Sequence, residues 1–275
     1  MQPVTLWRMT SSVLTLLAVL LSAFVLICLF LYLRQERFLF EPVSTDPELA
    51  RHWLAQRVQI PAGDHWIEGW WIDNPDATNS ATVLYFGGNA EDVLTTATTA
   101  RQLGARRLLV TNYRGYGKTP GRPGQAALYA DALVVYDYAE RADGVIPTNI
   151  VVMGRSMGSG MATMLAAKRK VRAAILITPY DSILSVAERH YSAFPVRLLL
   201  RHPFPSLEFA AKAHAPLLII AAERDMLIPA THAQRLADTW AGPREIHILP
   251  DMAHNNIEQH PDYYSLISAF LNQVK

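Results

Sequence analysis

The sequence predicts an α/β protein with a mostly parallel central sheet, helices on both of its faces, and one transmembrane helix in front. Three observations carry this. Short apolar runs rich in Val, Ile and Leu recur along the chain, and loops with longer helical patterns separate them. The runs lack polar alternation, which suits strands covered on both faces. Finally, one segment produces the positive mean hydropathy of +0.10: without residues 12–33 the remainder averages about −0.1, the value of an ordinary globular chain.

Composition bounds the function classes. Of 275 residues, 51% are apolar and 18% charged, with a formal net charge of +1. A polytopic membrane protein would need several apolar segments, and a disordered chain would lack this apolar content. Near-neutral charge without a long basic run argues against nucleic acid as a partner. The single cysteine, Cys28, excludes a disulfide framework and a cysteine-based metal site.

After an N-terminal flank, 1–11, comes the anchor, 12–33. No charged residue lies between Arg8 and Arg34, and a helix over Met9 to Leu33 would be about 37 Å long, enough to cross a hydrocarbon core of about 30 Å. A secretory h-region is shorter, and the exit Phe30-Leu31-Tyr32-Leu33-Arg34 lacks small residues for cleavage. Leu26 and Ile27 before Cys28 also depart from a lipoprotein signal. A retained single-span anchor is therefore expected rather than a cleaved signal. Arg8 on one side and Arg34, Arg37 and Arg51 on the other favour neither orientation.

A juxtamembrane segment, 34–56, leads into one large domain, 57–275. Arg57 to Ile60 and Trp66 to Ile72 read as a strand pair turned by Pro61, Gly63 and Asp64. Six apolar runs follow: Ala81 to Phe86, Leu108 to Thr111, Ile150 to Met153, Ala174 to Thr178, Leu217 to Ala222 and Ile246 to Leu249. Between them, Gln125 to Arg141 places Leu128, Ala132, Val135 and Ala139 on one helix face. Ala230 to Trp240 and Ile257 to Val274 behave similarly. The stretch 182–209 breaks the alternation, and it reads either as an insertion capping a site or as a surface helix on the sheet edge.

The sharpest chemical signal is Gly154-Arg155-Ser156-Met157-Gly158, between a predicted strand and a predicted helix, Ser159 to Lys168. Such a turn exposes a serine hydroxyl in a strained conformation, and glycines let strand and helix pass closely. Serine needs a base, and the base an orienting acid. His254 is the best-placed base, in a loop just past a predicted strand. His247 falls within that strand, and His260 precedes Pro261 at the last helical segment. Two acids compete at strand C-termini, where open α/β sheets place their sites. Asp225 is preferred because it follows the penultimate strand and leaves room for one helix and one strand before His254. Asp181 would then close the insertion or cap its first helix. Asp251 is too near His254 to orient it easily. An oxyanion needs backbone N–H donors: Met157 after the serine, and Asn89, with Gly88 the alternative, in Gly87-Gly88-Asn89-Ala90.

Tyr85-Phe86-Gly87-Gly88-Asn89-Ala90, Asn112-Tyr113-Arg114-Gly115-Tyr116-Gly117, Gly154-Arg155-Ser156-Met157-Gly158, Glu223-Arg224-Asp225 and Ala253-His254-Asn255 together resemble the membrane-anchored serine hydrolase branch of the α/β-hydrolase superfamily. The likeness spans about Gln59 to the C-terminus. Its relatives include lysophospholipase-like, monoacylglycerol-lipase-like, depalmitoylase-like and serine-aminopeptidase-like enzymes. The resemblance implies an α/β-hydrolase fold and assigns nucleophile, acid and base to Ser156, Asp225 and His254. Gly87-Gly88 replaces the His-Gly of many relatives, which a backbone donor should tolerate. The Tyr113 to Gly117 loop is expected to be architectural.

The expected reaction is acyl transfer to water through an acyl-enzyme, with no metal or organic cofactor. The anchor and the apolar insertion favour a lipid-like or hydrophobic ester or thioester. Two rivals are a peptidase or aminopeptidase using the same residues, and an inactive membrane-tethered binding protein of this fold. A peptidase for free amino termini should show an acidic site for the amine, and none stands out.

Overall fold

Helix α1 (Pro3–Leu39) opens the computed structural model, which describes residues 3–274, with side chains from residue 12 onward. Residues 1, 2 and 275 lie outside the described residues, as do the side chains of the 1–11 flank, Arg8 among them. The Ser12–Leu39 part of α1 is long and apolar enough to cross a membrane, and only 6% of its most apolar window is buried. A core helix would be mostly covered. The helix outruns the expected limit at Leu33 because its last turns are held from outside. Gln35 Nε2 donates to the Leu199 carbonyl at 2.9 Å, and the Arg201 N–H donates to Gln35 Oε1 at 2.7 Å. Glu36 pairs with Arg201 at 3.0 Å.

The expected juxtamembrane segment therefore splits. Its first six residues belong to α1, and Phe40 then plugs the core at 2% exposure. Helix α2 (Pro47–His52) starts where Asp46 accepts the Glu48 and Leu49 N–H groups at 2.8 and 3.0 Å. A 3₁₀ turn, Leu54–Gln56, completes it.

Strands β1 (Arg57–Ala62) and β2 (His65–Asp73) form the expected hairpin, but its turn is Gly63, at φ +74°, and Asp64. Pro61 sits inside β1, which a sheet-edge strand tolerates. There follow β3 (Thr82–Phe86), α3 (Val93–Thr98), β4 (Arg107–Thr111), α4 (Gln125–Glu140), β5 (Ile150–Arg155), α5 (Met157–Lys168) and β6 (Ala173–Ile177). Three short helices come next, α6 (Ile183–His190), α7 (Val196–Leu199) and α8 (Ser206–Ala210), and then β7 (Leu217–Ala222), α9 (Ala230–Thr239), β8 (Arg244–Leu249) and α10 (Tyr263–Gln273).

The sheet order is β1-β2-β4-β3-β5-β6-β7-β8. β2 runs antiparallel to β1 and β4, and all other neighbours are parallel. Strands β3, β6 and β7 are buried at every position. Their side chains alternate between two apolar layers. Leu84, Leu176 and Ile219 join Leu128, Met161 and Leu236 on one face, while Val83, Ile175 and Ile220 join Leu94 and Ile267 on the other. This is the α/β-hydrolase architecture, and it explains the uninterrupted apolar runs.

The stretch 182–209 divides: Phe204 is fully buried in the main core and Val186 of α6 joins it, while Tyr191 and Leu198 are exposed. One expectation needs correction. The last helical segment is interrupted, with a 3₁₀ turn at Ile257–Gln259 and α10 starting at Tyr263. Pro261 forces His260 to extended backbone, which ends the turn.

The chain reverses direction across the sheet between β4 and β5, because β4 lies on one side of β3 and β5 on the other. The loops leaving β3 and β5 therefore part over a common crevice, with Phe86 paired to Gly154.

Candidate active site

Ser156 occupies the turn between β5 and α5, with φ 50° and ψ −116°. A non-glycine residue held there is strained, and the surroundings enforce it. Its N–H donates to the Ile177 carbonyl at 2.8 Å. A Cβ at Gly158 would stand 1.9 Å from the Phe86 carbonyl oxygen, and one at Gly154 2.2 Å from the Gly158 oxygen. Any side chain at either glycine would push α5 away from β3 and β5.

His254 and Asp225 reach this serine from the loops after β8 and β7. His254 Nε2 lies 2.9 Å from Ser156 Oγ, and His254 Nδ1 lies 2.6 Å from Asp225 Oδ2. The carboxylate can only accept, so Nδ1 carries the proton and Nε2 accepts from the serine hydroxyl. The other Asp225 oxygen accepts the Leu227 and Ile228 N–H groups at 2.9 and 2.7 Å. The two loops are stitched together, since the Arg224 N–H donates to the Met252 carbonyl at 2.8 Å. Asp225 and His254 are buried, at 4% and 8% exposure, so water does not compete for these bonds. An imidazole so held can take the hydroxyl proton as oxygen attacks a carbonyl.

The competing residues fall elsewhere. Asp181 binds His232 and Arg235, not His254. It does not cap α6, because Ser182 does, its Oγ accepting the Ser185 N–H at 3.0 Å. Burial alone would raise the Asp181 carboxyl, but hydrogen bonds from His232, Ser185 and Arg235 hold it well below the ordinary aspartate range. His247 pairs with Glu245 on β8, and Asp251 pairs with Arg224.

The two oxyanion candidates are separable. The Gly88 N–H donates to Glu91 Oε2 at 2.7 Å, so it is already engaged. Among the described residues the backbone N–H groups of Asn89 and Met157 have no acceptor. Asn89 is fixed through its side chain, whose Oδ1 accepts from the Tyr116 hydroxyl at 2.7 Å and the Glu41 N–H at 3.0 Å. Tyr113 holds the same loop by donating to the Gly87 carbonyl at 2.6 Å. The Tyr113 to Gly117 loop is thus the scaffold of the loop that carries Gly87 and Asn89. Sequence reasoning missed Tyr116, Glu91 and Arg155, although Glu91 stands three residues after Gly88 and Arg155 inside the serine motif.

A cavity of about 250 Å³ lies between α1 and the α6–α7 segment, lined by Leu31, Phe38, Ile183, Phe194, Val196 and Leu199 among others. Phe24 of α1 stacks on Phe194 of that segment with ring centroids 5.8 Å apart. A larger cavity, about 730 Å³, includes Arg107 at the start of β4, and neither cavity is lined by Ser156, His254 or Asp225. Among the described residues no group of three or more His, Cys, Asp or Glu is gathered to hold a metal.

Comparison with known proteins agrees with this fold. Residues 82–201 match the family model described as alpha/beta hydrolase fold. An uncharacterized Mycobacterium tuberculosis protein, Rv2307c, is 32% identical over 237 residues, covering 84% of each chain. Human alpha/beta hydrolase domain-containing protein 17B is 28% identical over 197 residues, 70% of this chain and 66% of the relative. Among solved structures, Pyrococcus furiosus esterase Pf2001 superposes with a TM-score of 0.65 at 18% identity, covering 85% of this chain and 98% of that one. Est1E from Butyrivibrio proteoclasticus, with bound ferulic acid, gives 0.63 at 16%, covering 79% and 98%. The chain belongs to the α/β-hydrolase superfamily.

Proposed function

We propose that the protein is a membrane-anchored serine hydrolase that cleaves a carboxylic ester or thioester of a hydrophobic, lipid-like acyl group. The observation that carries this is the buried run of hydrogen bonds from Asp225 through His254 to Ser156. His254 removes the Ser156 proton as Oγ attacks the acyl carbonyl. The Met157 and Asn89 N–H groups receive the oxyanion, and the α5 N-terminus adds a favourable dipole. Collapse of the tetrahedral adduct expels the alcohol or thiol, which takes the proton from His254. Water then attacks the acyl carbon while giving a proton to His254, and collapse of that adduct releases the acid and Ser156 Oγ, which takes the proton back from His254.

Superfamily membership supports hydrolysis, and one structural neighbour, Pf2001, is an esterase by name. The lipid-like preference rests on α1 and on the apolar cavity that α1 shares with the α6–α7 segment. A fluorophosphonate probe should label the wild type and fail on Ser156→Ala, and equal labelling would refute the assignment. A chain-length series of p-nitrophenyl esters, beside a panel of peptide amides, tests the substrate class. Turnover should rise with acyl length and be absent on amides, whereas faster amide cleavage would favour a peptidase.

A further inference from the structure

We propose that Glu91 and Arg155 are positioning residues, a pair that sets the oxyanion loop and the base loop against each other around Ser156. The proposal rests on the serine hydrolase reading above. Neither side chain is hydrogen-bonded to Ser156, and both reach the flanking loops through backbone groups.

Glu91 is enclosed by donors. Its Oε2 accepts the Gly88 N–H at 2.7 Å and lies 3.3 Å from Arg155 Nη1. Its Oε1 accepts the Tyr85 hydroxyl at 2.7 Å and the Thr96 hydroxyl at 3.0 Å. The carboxylate side chain is only 8% exposed, so each of these bonds forms largely out of water. Burial, then the Glu91 charge, push the Tyr85 phenol well above its ordinary value, which keeps it a donor. By drawing the Gly88 N–H backwards, Glu91 fixes the peptide plane one residue before the Asn89 N–H.

The empty position at Gly87 fits this arrangement. A Cβ there would come within 2.9 Å of Val93 Cγ1 and 3.3 Å of Glu91 Cδ. The carboxylate thus lies against a face of the loop that a larger residue at 87 would occupy.

Arg155 completes the link. It is the residue before the nucleophile, and besides Glu91 it places Nη2 3.4 Å from the His254 carbonyl oxygen and 3.7 Å from Glu258. Burial alone would lower the guanidinium, but Glu91 beside it holds it above the ordinary arginine value. One cation therefore spans the oxyanion loop, the serine turn and the base loop. A lysine, with one compact ammonium, could not reach all three.

The test uses the full chain in detergent micelles with p-nitrophenyl butyrate, and a trifluoromethyl ketone that forms a tetrahedral adduct. In Glu91→Gln an NH₂ replaces one acceptor oxygen, which faced two of the four donors, and the negative charge that strengthens the Gly88 bond and holds Arg155 is lost, so the restraint on the Gly88 plane weakens. Losing one oxyanion donor outright costs about 10²–10³ in kcat, and a displaced donor should cost about 10–100-fold, with KM within about twofold and ketone affinity falling in parallel. Arg155→Met should act in the same direction, and the double variant should be no worse than the poorer single, because the two work as a unit. Arg155→Lys should recover part of the loss. If Glu91→Gln does not fold, Thr96→Val carries the test, with about a 3–10-fold fall in kcat at constant KM. A folded Glu91→Gln, or failing that Thr96→Val, with wild-type kcat and ketone affinity overturns the proposal. So does a loss of thermal stability with catalysis unchanged. Activity that is lost in Ser156→Ala but intact in Glu91→Gln refutes the pair alone, while activity surviving Ser156→Ala refutes the hydrolase reading and the pair with it.

Discussion

Two buried Asp–His pairs stand beyond the C-terminal ends of neighbouring strands. Asp181, after β6, meets His232 Nδ1 at 2.7 Å, and Asp225, after β7, meets His254 Nδ1 at 2.6 Å. The acids are equally covered, at 3% and 4% exposure. What separates them is the company of the second oxygen. In Asp181 it accepts from the Arg235 guanidinium at 2.5 Å, while the first oxygen also takes the Ser182 N–H and the Ser185 hydroxyl. That carboxylate is neutralised by a cation and ties the start of α6 to α9. In Asp225 the second oxygen meets only backbone N–H groups, and its charge faces the imidazole that reaches Ser156. The same contact is shared with a cation in one place and backs a histidine–serine hydrogen bond in the other.

The contrast breaks most visibly at the serine. Ser156→Ala should lower kcat for p-nitrophenyl butyrate by about 10⁴-fold or more, measured by initial rates with the purified chain. Asp225→Asn keeps the shape but favours the wrong imidazole tautomer, so about a 10³–10⁴-fold loss is expected with little change in melting temperature. Tyr116→Phe removes one neutral hydrogen bond to Asn89 and should cost about 2–12-fold in kcat at constant KM, which steady-state kinetics would read.

Asp181→Asn should have the smallest effect on catalysis, within about twofold. Its effect is on stability, a loss of about 1–3 kcal/mol by urea unfolding, because buried donors lose their acceptor. The Asp181 carboxyl is held below its ordinary value of 3.8 in the folded chain. Its contribution is therefore complete above that value and lost as pH falls through the lower folded one. The stability gap between wild type and variant should be flat from about pH 5 to 8 and shrink below about pH 4. A gap that widened with acid would contradict this.

Some of this was legible in the residues alone, for physical reasons. Buried strands such as Leu217–Ala222 announce themselves because both faces are apolar. Ser156 is legible because glycines at 154 and 158 are demanded by contacts that no Cβ survives. The Glu91–Arg155 pair was not, since 64 residues separate two charges that look like any surface pair in sequence. Nor was the fate of 182–209, where Phe204 enters the core at φ 41°, a turn that carries no helical or strand period. The break before α10 could have been read from Pro261.

The exit from α1 has a mechanical consequence. The helix ends at Leu39, Phe40 is buried, and the Glu41 N–H already shares Asn89 Oδ1 with Tyr116. Two residues span at most about 7 Å, so no slack separates the apolar helix from the Asn89 loop. A catalytic domain on a flexible linker samples every heading, but this one is mounted on its helix like a head on a rigid neck. Were α1 to cross a bilayer, the tilt of that helix would set the distance and bearing of Ser156 from the lipid surface.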